Sequence, residues 1–157
     1  MNLKKNDEVI LSSFNFIAAG IAIKNSKAKL IFIDQKRNSF DIDLEDLKKK
    51  INSKTKAILL THFNGYLQDS LGIRNLIRKT KHKIFFIEDC AHVLAAEHKK
   101  NFFSGSYSDA AVFSFGPTKM ITTGGMGGMV ISKNKKLINQ INILKSFGMD
   151  KSAYNRK

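Results

Sequence analysis

The stretch best suited to chemistry is Phe113-Ser-Phe-Gly-Pro-Thr-Lys119, which runs on into Met-Ile-Thr-Thr-Gly-Gly-Met-Gly-Gly128. An apolar strand delivers Ser114, and a turn carrying Pro117 brings a lone lysine into a glycine-rich loop. Small hydroxyl and glycine positions let backbone N–H groups approach a phosphate closely. A lysine amine that is partly desolvated gives up its proton more readily and, once neutral, attacks a carbonyl carbon. Read alone, the segment also fits a surface lysine in a glycine-rich loop.

Thirty residues earlier lies Ile84-Phe-Phe-Ile-Glu-Asp-Cys-Ala-His92, a hydrophobic run ending in two carboxylates. Open α/β sheets place ligand-binding groups at strand carboxyl ends, and a carboxylate there can pair with a protonated ring nitrogen. Asp89 fits that role or, equally, a cap for the following turn. His92 could hydrogen-bond a cofactor oxygen or be structural, and Cys90 reads as a small core residue. Phe16 could stack on an aromatic ring, although an aromatic following a strand is more often core. His62-Phe-Asn-Gly65 reads as a turn without chemistry. Metal ligation is not expected, because Cys90 and His92 share one short turn and no second ligand pair follows at zinc spacing.

The elements that must position these groups alternate short apolar runs with amphipathic stretches, which argues for an α/β fold. Strands are expected at Glu8–Leu11, Leu30–Asp34, Ala57–Thr61, Ile84–Asp89, Ala110–Phe115 and Met129–Ser132. Several are continuous Ile, Leu, Phe and Val runs, as in strands covered on both faces. Helices are expected from Asp43 to Ile51, from Ser70 to Lys79 and from Lys135 to Phe147, the last stopping at Gly148. The fold class is therefore a central, mostly parallel sheet flanked by helices. No repeat, linker or hinge divides the chain, yet neither end reads as a finished domain, so a fragment is expected.

The chain has 157 residues, 43% hydrophobic and 25% charged, an ordinary balance for a soluble globular protein. No apolar run approaches the ~20 residues that cross a bilayer. One cysteine cannot form an internal disulfide, which favours a reducing, cytoplasmic setting. The formal charge of +14 comes mostly from lysines scattered over helix ends and loops. No aromatic-interleaved basic ribbon or zinc pattern accompanies it, so nucleic acid is not the expected partner. An anionic small molecule suits the same positive field.

Taken in order, the segments resemble the DegT/DnrJ/StrS family of pyridoxal-phosphate (PLP) sugar aminotransferases. Asp7-Glu-Val-Ile-Leu-Ser-Ser-Phe-Asn-Phe-Ile-Ala is similar to G-D-E-V-I-x-P-S-F-T-F-V-A, and Phe32-Ile-Asp34 with Phe40-Asp-Ile-Asp43 to F-x-D…F-N-I-D. Thr55-Lys-Ala-Ile resembles T-K-A-I, and Ile87-Glu-Asp-Cys-Ala-His resembles I-E-D-x-A-[QH]. Gly105, Ser108-Asp109 and Phe113–Lys119 resemble G-S-x-G-D…F-S-F-x-P-T-K. The resemblance implies part of the large domain of a fold type I PLP enzyme over 1–148, with 149–157 a polar tail leading toward a small domain. It implies that Lys119 holds the cofactor covalently, Asp89 pairs with the pyridine nitrogen and Ser114 contacts the phosphate. It also implies that His92 sits by the phenolic oxygen and that Phe16 stacks on the ring. The implied reaction moves an amino group, usually from glutamate, to a nucleotide-linked keto-sugar, in a homodimer or with a complementing subunit. The chain departs from the family where T-T-G-E-G-G becomes Thr122-Thr-Gly-Gly-Met-Gly-Gly128, where Ser12 replaces Pro and where Asn15 replaces Thr. The family's upstream Gly-Thr segment and small domain have no counterpart in these residues. A catalytically silent remnant or interaction module of the same fold is the alternative expectation.

Overall fold

The computed structural model describes residues 2–146 and 148–149. Its strands are β1 (Glu8–Ser12), β2 (Lys29–Ile33), β3 (Thr55–Thr61), β4 (Phe85–Asp89), β5 (Glu97–Lys99), β6 (Phe102–Phe103), β7 (Ala110–Ser114) and β8 (Gly128–Ile131). The helices are α1 (Ile17–Asn25), α2 (Leu44–Lys50), α3 (Ser70–Lys79) and α4 (Lys135–Lys145), with a 3-10 turn at Phe63–Gly65. Six strands form one sheet in the order β2-β1-β3-β4-β7-β8, and β5 with β6 makes a small separate hairpin. All pairs from β2 to β7 are parallel, and only β8 runs antiparallel, against β7. The expected α/β architecture is therefore the observed one.

Strand side chains alternate between faces, and the core divides accordingly. Ile10, Ile33, Ile58, Leu60 and Phe86 pack with Leu47 of α2 and with Ile73 and Ile77 of α3. On the opposite face Val9, Leu11 and Ala57 pack with Ile23 of α1. Both faces of the central strands are thus covered, which is why their sequences read as unbroken apolar runs. Helices α2, α3 and α4 begin at capping side chains. Asp43 accepts from the N–H groups of Glu45 and Asp46, Asp69 from Gly72, and Asn134 from Leu137. The expected end of the last helix, Phe147, lies outside the described residues. Gly148, at φ 79°, has the left-handed conformation expected of a residue past a helix end.

Two elements were not anticipated. Helix α1 has no side-chain cap and no acidic residue in its first turn, and Ile-Ala-Ala-Gly-Ile-Ala-Ile carries apolar residues with no polar face to reveal its period. The β5–β6 hairpin hides in a lysine-rich stretch and turns at Asn101, φ 66°, whose N–H donates to Glu97 Oε1 at 2.7 Å.

A buried polar network joins β3, β4 and α3. Glu88 and His62 are both fully buried. His62 Nδ1 accepts the Gln68 N–H at 3.1 Å, so the ring hydrogen sits on Nε2 and is donated to Glu88 Oε1 at 3.1 Å. Ser70 Oγ donates to the same oxygen. Burial pushes the Glu88 carboxyl up, but hydrogen bonds from His62, Ser70 and Ser108 outweigh it and hold the group below its ordinary value. A carboxyl depressed on folding stabilises the native state fully above its unfolded value, 4.5, and loses that contribution as pH falls through the folded value. Glu88→Gln is therefore expected to cost about 2 kcal/mol in urea unfolding at neutral pH, the scale of hydrogen bonds to a charged group. That gap between wild type and variant narrows on acidification below the ordinary value; a gap unchanged from neutrality to about pH 3 would contradict the assignment.

Candidate functional site

The parallel ladder brings the carboxyl ends of β1, β3, β4 and β7 to one edge of the sheet. The strands end there in Ser12, Thr61, Asp89 and Ser114. Register partners in neighbouring strands point to the same face. Asp89 pairs with Val112 and with Thr61, so Asp89 shares its face with Ser114, two residues beyond Val112. Leu59, Phe85 and Leu11 line that same face, which α1 covers. Phe16 is the residue from which α1 starts, and it is 62% exposed. It is not a core aromatic. Asp89, Ser114 and the entry to α1 thus open on one face at one edge.

Each group is held by its own loop. Asp89 is half-buried, and its Oδ1 accepts the Ala91 N–H at 3.0 Å, so the turn-capping role is real. Among the described residues no hydrogen bond uses its second oxygen, which remains for another partner. His92 is half-buried, with Nδ1 accepting the Asn64 N–H at 3.0 Å and its ring edge-on to Phe63 at 5.4 Å. Cys90 lies in the core with Val93, Ala111 and Phe113. Burial, then the charges of Glu88 and Asp89, push its thiol far up, so it is inert filling rather than a nucleophile.

Lys119 is half-buried in the turn after β7, where its N–H donates to Gly116 O at 3.1 Å. A Cβ built on Gly116 would lie 3.7 Å from Ser114 Oγ and 4.0 Å from Lys119 Cγ, so the hydroxyl and the lysine stem flank one glycine. The loop that follows is tied back to β7: Phe115 N–H donates to Gly127 O at 2.8 Å and Thr123 N–H to Phe115 O at 3.2 Å. Gly128 is required there, because a Cβ would sit 2.9 Å from Phe113 O. Of the five expected site residues, the structure brings Ser114 and Lys119 together around Gly116. Asp89 and His92 share the turn after β4, and Phe16 stands on the same edge after β1, with β3 lying between β1 and β4.

Sequence reasoning missed one cluster. Ligand atoms of His62, Glu88 and His98 lie within 4.8 Å of one another, as in a metal site. The hydrogen-bond directions oppose that use. A metal would need the lone pair of His62 Nε2, but Nδ1 already accepts from Gln68 and Nε2 carries the hydrogen. His98 Nε2 stands 3.9 Å from Glu88 Oε1, and burial lowers the His98 pKa despite that carboxylate. No local motif could reveal the cluster, because its members come from three separate segments. Among the described residues no helix is long and apolar enough to cross a membrane.

The chain is 34% identical over 149 residues to the GDP-perosamine synthase of Escherichia coli O157:H7, covering 95% of this chain and 40% of that protein. It is 35% identical over 150 residues to the spore coat polysaccharide biosynthesis protein SpsC of Bacillus subtilis, covering 96% and 38%. The structure of S. venezuelae DesV, solved in complex with a ketimine intermediate, superposes with a TM-score of 0.84 at 27% identity, covering 97% of this chain and 40% of that one. The chain thus spans about two-fifths of the length of the relatives it matches. The DegT/DnrJ/EryC1/StrS aminotransferase family profile matches residues 1–157, and the chain belongs to that family.

Proposed function

We propose that this chain forms the PLP-binding core of a sugar aminotransferase that moves an amino group, from glutamate, onto a nucleotide-linked keto-sugar. The observation that carries the reading is the shared edge and face of Asp89, Ser114 and the α1 entry, with Lys119 beside Ser114. The donor set fits the cofactor. It comprises a primary amine for an aldehyde, a carboxylate oxygen that accepts no hydrogen bond among the described residues for a ring N–H, a hydroxyl for a phosphate and an exposed aromatic plate for a ring. When bound, PLP supplies the electron sink that stabilises a carbanion at the carbon bearing the amino group.

The residues divide the work. Lys119 is the amine that would hold the cofactor through its aldehyde, and the same Nζ would carry a proton to or from the substrate carbon. Asp89 accepts the ring N–H through its second oxygen and holds that nitrogen protonated. Ser114 Oγ donates to the phosphate, and Phe16 covers one ring face. His92 donates from Nε2 to the ring oxygen. The net positive field of +14 attracts a diphosphate-linked sugar. GDP-perosamine synthase and the spore coat polysaccharide protein, by their names, support a nucleotide sugar bound for polysaccharide. The apolar residues Phe16, Ile17, Ile21, Met120, Ile121 and Met126 are exposed. A second copy or a complementing subunit covers them in the working assembly.

Mixing the chain with PLP is expected to give a visible absorbance band that borohydride removes and that Lys119→Ala never develops. Wild type and variant with the same spectrum would defeat the reading. Asp89→Asn is expected to weaken PLP binding about ten-fold or more, the weight of one charge-assisted hydrogen bond. Titration of the same band measures this, and an unchanged affinity would remove Asp89 from the site.

A further inference from the structure

His62-Phe-Asn-Gly65, expected from sequence only to turn the chain after β3, reaches both sides of the β4 carboxyl end. Its first residue is anchored beneath the site, where buried His62 is fixed by Gln68 on one ring nitrogen and by Glu88 on the other. Its third residue reaches the site itself, through the Asn64 N–H on His92 Nδ1 at 3.0 Å. The backbone between them is constrained: Asn64 has φ 53° and Gly65 φ 84°, both left-handed, and Tyr66 N–H closes onto Phe63 O at 3.0 Å. The Phe63 ring meets His92 edge-on, and Phe14 backs Phe63 at 4.3 Å.

A backbone amide can only donate, so the direction of the Asn64–His92 bond is fixed. The neutral imidazole then accepts at Nδ1 and carries its single hydrogen on Nε2. We propose that the Phe63–Gly65 turn, through the Asn64 N–H, is the positioning element that holds His92 as its Nε2–H tautomer. Nε2 then serves the site only as a donor, toward an oxygen bearing negative charge. A phenolic oxygen of the cofactor is such an acceptor, and this last step alone rests on the PLP reading. Asn64 is a positioning residue, acting through His92 without touching the ligand.

The tautomer can be read without any cofactor. In long-range 1H–15N correlation spectra of the 15N-labelled chain above neutral pH, the four histidine rings are few enough to assign, with His92→Gln identifying the signals of His92. The expected pattern is Nε2–H for His92. An Nδ1–H pattern, or fast exchange between the two forms, overturns the proposal. Asn64→Gly keeps both the N–H and the left-handed backbone, so it should retain the pattern. Asn64→Val disfavours that backbone and should release His92 to a tautomer mixture, with PLP affinity about ten-fold weaker. A folded Asn64→Val chain with the wild-type pattern also overturns the proposal. A wild type locked as Nε2–H that fails to bind PLP supports the positioning role and defeats the cofactor reading instead.

Discussion

The parallel hydrogen-bonded register of β1, β3, β4 and β7 is the constraint on which the site depends. It sets which residues stand side by side at the carboxyl edge, and strand alternation then sets which of them share a face. A slip of one residue between β4 and β7 would send Asp89 and Ser114 to opposite sides of the sheet. The register is held by unbroken apolar packing on both faces and by the polar network beneath β4. That network is unforgiving, since burying a carboxylate costs several kcal/mol unless it is hydrogen-bonded.

Adjacent carboxylates at the end of β4 divide two tasks by alternation alone. Glu88 points into the α2–α3 side, where His62 and Ser70 both donate to its Oε1. Asp89 points to the α1 side, where its Oδ1 caps the turn. The residue tied into the buried network is therefore not the residue at the candidate site. The same economy shapes the loop after β3, whose first residue belongs to the buried network while its third orients His92.

Much of this was legible in the sequence. The runs Glu8–Leu11, Ala57–Thr61 and Ile84–Asp89 announced strands, several of them covered on both faces, and Asp43 announced a helix start. The placement of Asp89 at a strand end and of Lys119 in the glycine-rich turn after a strand was legible from residue type and spacing. What escaped has physical reasons. Helix α1 lacks an amphipathic period because its first turns are nearly all apolar and it starts from an uncapped, exposed Phe16. The β5–β6 hairpin is two short strands in a charged stretch, below the length at which alternation is readable. His62 and Glu88 are 26 positions apart, and only the pairing of β3 with β4 makes them neighbours. The Asn64–His92 bond depends on a left-handed backbone at a non-glycine residue, which residue type alone does not announce.

The central claim is that one lysine among many captures the cofactor aldehyde because the fold carries it to the edge where Asp89 and Ser114 stand. Borohydride reduction of the chain with stoichiometric PLP, followed by proteolysis and mass mapping, tests this directly. The account predicts that the phosphopyridoxyl mass falls on the peptide containing Lys119. A label spread over surface lysines such as Lys48, Lys81 or Lys99, or fixed on any other single lysine, would contradict it.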